Sequence, residues 1–206
     1  MTYLELRDLM KDFTVFSVRD IARVDPAFHR RRLNEWQDKG YLRKVIKGFY
    51  IFADRVLDEW ALFEIANRIY KPSYVSLESA LAHHQLIPES VYGVTSVSTR
   101  RSYRFASAVA DFHYRTVKPR LFFGYDLAAD GGKRVKIARP AKAFLDFLYL
   151  NPRLRSDSDF DGLRVDAERF FRTVDEKELR TALARFAQKT LTIRVDHFLE
   201  HLRGSD

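Results

Sequence analysis

The sequence predicts an α+β fold, and three observations carry that expectation. Residues 17–52 read as two short helices followed by a two-stranded ribbon, with arginines on the second helix. Residues 91–137 hold several short runs rich in β-branched and aromatic residues. Helical spacing of apolar residues returns at Pro140 and continues to the end of the chain. The first pattern is the order of parts in a winged helix-turn-helix. The other two predict a mixed α/β part with a small sheet and C-terminal helices.

Each element has a local reason. Tyr3 to Phe13 reads as a helix whose apolar side is Leu4, Leu6, Leu9 and Met10. Ser17 can cap the next helix, with Asp20 three residues on as an acidic capping-box partner. Asp25-Pro26 then predicts a helix from Pro26 to Lys39, with a side-chain oxygen before it and proline at its first position. Gly40 stops that helix, and strands at Leu42–Ile46 and Phe49–Phe52 are joined by Lys47-Gly48. Ala53 to Glu59 is short and charged, which predicts a seam between domains at 1–55 and 60–206. Trp60 to Ile69 has near-helical spacing and ends at Lys71-Pro72. Tyr74-Val75 is a brief extended piece. Ser76 caps a helix carrying Leu77, Ala80, Leu81 and Leu86, stopped before Pro88.

Strands are then expected at Val91–Thr99, Phe112–Val117, Leu121–Tyr125 and Val135–Ile137, with Asp130-Gly131-Gly132 turning between the last two. Pro140 to Leu150 returns to helix. Asp175 with Glu178 starts another, and Leu191, Val195, Phe198 and Leu202 form the last stripe. The aromatic residues from Tyr103 to Tyr125 sit at strand spacing, which favours core and cross-strand pairs over base stacking.

The second helix carries the most direct sign of a partner. Plotted at roughly 100° per residue, His29, Leu33 and Trp36 fall together as a buried stripe. Ala27, Arg30, Arg31 and Asn34 fall opposite. A helix entering the major groove needs this division. Arginine can give two hydrogen bonds to guanine O6 and N7, and asparagine two to adenine. Arg32, at the edge of the stripe, is better placed for a phosphate. Arg43, Lys44 and Lys47 on the hairpin suit backbone contacts beside the groove. These residues predict double-stranded DNA as a partner. An ordinary solvated basic face is the competing explanation, and the capped helix pair with its basic hairpin weighs against it.

Composition bounds the rest. A net charge of +8 permits a polyanionic partner. Residues 1–55 carry 12 Lys and Arg against 8 Asp and Glu, and the remaining 151 carry 24 against 20, so +4 on each side. The shorter segment therefore has the higher charge density. The absence of cysteine excludes disulfides, thiol chemistry and Cys-ligated zinc. No apolar run approaches the ~20 residues of a membrane helix. The opening MTYLELRDLMKDF is too charged for a signal peptide, so a cytoplasmic location is expected.

Few residues suggest chemistry, and neither an enzyme nor a cofactor is expected. Asp157, Asp159, Asp161, Gly162 and Glu168 match the spacing of a calcium-binding EF-hand loop. Asn151-Pro152 interrupts the entering helix, Arg164 replaces the usual apolar residue, and there is no second loop. An acidic segment starting a helix near Asp166 is the favoured explanation. His83 and His84 are adjacent on a helix and diverge. Gly131-Gly132-Lys133 lacks the first glycine of a phosphate loop. Asp175-Glu176-Lys177 has the residue types of a nuclease site but sits at a helix start.

Four segments also resemble a known family: RLNEWQDKGYLRKVIKGFY, YVSLESALAHHQLIP, VTSVSTRRSYRF and IARPAKAFLDFLYL. Together the chain from about Phe16 onward resembles the AbiEi-type antitoxins of type IV toxin–antitoxin (abortive infection) systems. Ala141 departs from the family, which usually has an acidic residue there, while Lys142, Ala143, Leu145 and Asp146 fit. The resemblance implies a winged-helix repressor of its own operon. It also implies a C-terminal domain that neutralises a nucleotidyltransferase-like toxin through functional rather than stable contact. Arg100, Arg101, Arg104, Arg115, Lys118 and Arg120 could oppose the toxin, with solvated charge as the plainer explanation. Two alternatives share the winged helix: a DNA-tethered metal-dependent nuclease, and a ligand-sensing transcriptional regulator without a toxin.

Overall fold

Capping side chains set most of the helix starts. In the computed structural model, which describes residues 1–88 and 93–204, Thr2 and Glu5 close a capping box on α1 (Tyr3–Met10). Leu6 and Met10 point inward, whereas Leu4 and Leu9 are exposed, so only half of the expected stripe is buried. The short strand β1 (Phe16–Ser17) leads into α2 (Val18–Val24), where Ser17 and Asp20 exchange the anticipated bonds. α3 (Arg31–Asp38) is followed by β2 (Leu42–Ile46) and β3 (Phe49–Phe52), which pair antiparallel around Lys47-Gly48. Gly40 and Gly48 both take positive φ, at +72° and +85°. That conformation suits glycine and lets the chain leave the helix and turn the hairpin. The three strands form a sheet in the order β1-β3-β2.

α3 corrects one expectation. It starts at Arg31, not at Pro26. The Asp25 carbonyl accepts the Phe28 amide at 3.1 Å, and its carboxylate accepts the Ala27 amide at 3.1 Å. Asp-Pro here opens a β-turn, with proline at the position whose φ it pre-sets. The same two residues suit either role, and the turn prevails.

The rest of the chain is mixed α and β. α4 (Glu59–Ile69) is capped by Asp58. Then come β4 (Ser73–Val75), α5 (Leu77–His83), β5 (Val94–Ser98), β6 (Tyr103–Phe105) and β7 (Phe112–Thr116). β8 (Tyr125–Asp130) and β9 (Lys133–Ala138) form a hairpin. Five helices close the chain: α6 (Pro140–Leu150), α7 (Asp157–Asp161), α8 (Ala167–Thr173), α9 (Glu176–Phe186) and α10 (Lys189–Gly204). The six strands run β6-β7-β5-β4-β9-β8, with β5–β7 and β4–β9 parallel and the other pairs antiparallel. Leu121–Tyr125 is not a strand. Pro119–Leu121 forms a 3-10 turn, and pairing begins only at Tyr125. Residues 91 and 92 of the expected strand 91–99 lie outside the described residues.

α6 is apolar almost all round, and residues 141–148 are all buried. It carries a buried charge pair, Lys142 and Asp146, one turn apart. The Lys142 ammonium donates to Asp146 Oδ1 and, at 2.8 Å, to the Tyr74 hydroxyl. Tyr74 and Ser76 donate to Asp146 Oδ2 at 2.8 and 3.0 Å. Ser76 is therefore engaged with α6 and does not cap α5 through its side chain. Thr95 of β5 replaces it: its hydroxyl accepts the Ser79 amide at 3.0 Å and donates to the Ser76 carbonyl at 2.8 Å. Between these anchors, Leu77 holds a left-handed φ of +58° and is buried. That conformation costs about 1–2 kcal/mol, which the ~1.5–3 kcal/mol of burying a leucine offsets.

The first 55 residues join the rest through shared core and polar ties. Val15, Val45 and Ile51 belong to the large hydrophobic cluster around the six-stranded sheet. Leu33, Trp36, Phe16 and Phe52 belong to a separate, smaller one. Arg68 of α4 reaches Asp20 of α2 at 2.9 Å and lies over the Phe13 ring at 4.7 Å. Burial pushes the Asp20 carboxyl up. Hydrogen bonds from Ser17 and the Arg68 guanidinium outweigh it and hold it below the ordinary carboxylate value.

Two outcomes follow. The contribution of Asp20 is full above its ordinary pKa near 4 and is lost as pH falls through its depressed folded value. Denaturant unfolding across the acidic range should therefore show a stability loss below about pH 4 that is smaller in Asp20→Asn. Lys142→Met leaves Asp146 buried without its counter-charge, and chemical denaturation should show a loss of about 3–5 kcal/mol.

Candidate nucleic-acid interface

The candidate interface rests on how α3 is seated. Leu33 and Trp36 are buried in the small cluster. The third residue of the stripe is Phe28, whose ring lies 5.8 Å from Trp36. His29, expected in that role, is exposed because the turn at Pro26 shifts the phase before the helix begins.

The opposite face carries the donors. Arg30 is the N-cap residue and is exposed, so it leaves the turn rather than the body of the helix. Arg31 is 90% exposed and stands 3.8 Å from Glu35, one turn along. Exposed pairs of this kind contribute little to stability and yield readily to a competing anion. Asn34 is exposed, with the Gln37 amide 3.5 Å from its oxygen. Burial pushes the Tyr50 phenol up, and the Arg30 charge acts against that rise. Arg30 therefore lies within electrostatic reach of β3, where Tyr50 is the register partner of Lys44. Lys44 and Lys47 are exposed on the hairpin.

Two of the expected contact residues are otherwise occupied. Arg32 donates to the Met1 carbonyl, which ties α3 to the segment before α1. Arg43 is half-buried and donates to the Arg55 carbonyl at 3.2 Å. Its place on β2 turns it toward the body of the protein, and among the described residues Lys44 and Lys47 are hairpin cations without a salt-bridge partner. Arg23, 82% exposed in the last turn of α2, is a cation the sequence pattern passes over. Its signal was its position just before the turn.

The acidic segment is a helix rather than an ion-binding loop. Ser156 and Asp159 form a capping box at the start of α7. Asp159 accepts the Arg155 and Ser156 amides at 2.9 Å each, and these bonds lower its carboxyl pKa to about 2. Asp157 meets His197 at 2.8 Å, and Asp161 meets His201 at 2.8 Å. Glu168 lies in α8 and pairs with Arg172 at 3.6 Å. Asp157 also lies 3.5 Å from His201, so Asp157 and Asp161 flank one histidine while Asp159 and Glu168 are engaged elsewhere. Among the described residues no group of three or more His, Asp or Glu is arranged to hold a metal ion. His83 and His84 also separate, toward Glu59 and the Ala138 carbonyl respectively. Asp175 acts as the cap of α9.

No protein-family model and no curated protein matches the chain. Among the described residues no helix is long and apolar enough to cross a membrane.

Ser156→Ala removes the cap of α7 and should cost about 1 kcal/mol in thermal or chemical unfolding. Millimolar calcium should leave the unfolding midpoint of the wild-type chain unchanged.

Proposed function

We propose that the protein is a double-stranded DNA-binding regulator whose first 55 residues act as a winged helix-turn-helix. The observation that carries this reading is the two-sided α3: Leu33 and Trp36 buried behind, Arg30, Arg31 and Asn34 exposed in front. Arg30 and Arg31 stand at the start of α3, and in helix-turn-helix proteins it is the N-terminal residues of the recognition helix that meet base edges. Arg30, Arg31 and Asn34 would supply base contacts, and Lys44 and Lys47 phosphate contacts. Arg43 takes no part, being bound to Arg55. Arg32 serves mainly to hold the helix to the N-terminal segment.

The resemblance to AbiEi-type antitoxins supplies the second half of the proposal. The regulator represses its own operon, and residues 60–206 neutralise a cognate nucleotidyltransferase-like toxin. Support comes from the segments that carry the likeness. YVSLESALAHHQLIP spans β4 and α5, and IARPAKAFLDFLYL spans the end of β9 and α6. Both meet at the Tyr74–Ser76–Lys142–Asp146 cluster.

Electrophoretic shift of a duplex containing the chain's own promoter tests the first half. Binding should be salt-dependent. Arg30→Ala and Arg31→Ala should each lose about 1–3 kcal/mol if their contacts are bidentate. Lys47→Ala should reduce the log–log salt slope by about 0.9. A folded sample that fails to shift the duplex at low salt overturns the reading. For the second half, co-expression with the neighbouring toxin should show rescue that survives Arg30→Ala/Arg31→Ala.

A further inference from the structure

The positive charge outside the first 55 residues is concentrated at one end of the six-stranded sheet. Residues 93–125 hold Arg100, Arg101, Arg104, Arg115, Lys118 and Arg120 against one acid, Asp111, a net +5. Residues 56–206 as a whole carry only +4, so everything else in that region is net −1. The excess falls on the edge strand β6 and the segments flanking β7. Hydrogen bonds bring those segments together: the Thr116 hydroxyl donates to the Arg100 carbonyl at 2.7 Å, and the Val117 amide to the Ser98 carbonyl at 2.9 Å.

The cations differ in how they are held. Arg104 is paired with Asp111 at 2.6 Å. Arg115 and Arg120 are spent on the Leu150 and Phe186 carbonyls. Arg100 lies over the Tyr70 ring at 4.6 Å and bonds the Lys71 carbonyl. Arg101 lies 5.7 Å from the centre of the Tyr103 ring. Among the described residues no carboxylate pairs with Arg100, Arg101 or Lys118, and Arg101 and Lys118 are exposed. Tyr103 is 42% exposed, and among the described residues β6 pairs only with β7, leaving its outer edge without a strand partner.

We propose that this sheet edge binds single-stranded nucleic acid, with phosphates at Arg100, Arg101 and Lys118 and an unpaired base stacked on Tyr103. Cations without carboxylate partners around an exposed ring are the arrangement that sequence-tolerant single-strand binding uses. Tyr103 already meets Phe105 at 4.4 Å and Tyr70 at 6.3 Å between ring centres, so an unpaired base would extend this aromatic group, whereas a duplex keeps its base faces stacked inside. A three-residue edge strand is also too short to lie along a groove as a reading element. The site is separate from α3 and does not depend on the duplex-binding proposal.

The test is fluorescence anisotropy of the full chain with labelled oligo(dT) and with a duplex, across a salt series. Wild type should bind oligo(dT), with a log–log salt slope of about −0.7 per phosphate engaged. Tyr103→Leu should weaken that binding about tenfold. Arg101→Glu and Lys118→Glu should each weaken it and flatten the slope. Arg30→Ala/Arg31→Ala should leave it unchanged. All three surface variants alter exposed side chains, and an unchanged unfolding midpoint certifies their fold. The proposal is overturned if folded wild type does not bind oligo(dT) at low salt, or if Tyr103→Leu binds it as wild type does. It is also overturned if polyglutamate of equal charge displaces the oligonucleotide as well as unlabelled oligo(dT) does. That last result would assign the surface to an acidic protein.

Discussion

A buried ammonium and carboxylate hold the centre of this protein in register. Lys142 and Asp146 lie on the most apolar helix, and the two hydroxyls that complete their shell come from Tyr74 and Ser76 across the sheet. Ion pairs in such surroundings recover their desolvation cost only when every remaining lone pair and proton is used. Here the requirement fixes how α6 lies against β4, and through Ser76 it governs the entry to α5. Thr95 then has to cap α5 from β5, and Leu77 has to adopt its left-handed backbone. One polar cluster thus ties α6 to β4 and the start of α5, alongside the β4–β5 ladder and the Ser79–Thr95 hydrogen bonds.

The proposed DNA-facing end is organised differently. Its small cluster is aromatic, with Trp36, Phe28, Tyr3 and Phe52 in edge and tilted contacts. No charge is buried there. α3 spans only eight residues, so its few exposed donors lie at or near its first turn. Tethers from Arg32 to Met1 and from Arg43 to Arg55 fix the helix and the hairpin at their flanks. Arginines that the bare pattern offers to a ligand are in part the fastenings that hold the others out.

Much of the fold was legible where a side chain has a single local use. Ser17 with Asp20, Asp175 with Glu178, Gly40 and Gly48 all behave as their types demand. So do the stripes of α4, α6 and α10, where apolar residues at helical spacing meet one core. Legibility failed where two local roles compete. Asp25-Pro26 can open a helix or a turn, and Ser76 can cap a helix or bond a distant carboxylate. A distant partner decides Ser76, whose hydroxyl bonds Asp146, whereas at Asp25-Pro26 two local bonding patterns compete and the turn prevails. Asp166 caps α8 where the acidic segment is expected to lead into a helix, and the run before it adds the short helix α7. β6 and β8 escaped notice because edge strands satisfy only one side and tolerate residues such as Arg104 and Asp126. Of the candidate interface, Arg30, Arg31, Asn34, Lys44 and Lys47 stand exposed as anticipated. Arg32 is exposed but tethered and Arg43 is half-buried and tethered, and neither tether shows in the local pattern because they join residues 31 and 12 positions apart.

Val15, Val45 and Ile51 have a consequence for dissecting the molecule. They sit on the N-terminal side of the charged seam, yet they pack in the larger core beyond it. Cutting the gene at that seam would strip three side chains from the remaining half and leave an oily scar on its surface. A truncated fragment would report that wound as well as any missing activity. Single-residue replacements on the intact polypeptide are the cleaner instrument for assigning tasks to its two ends.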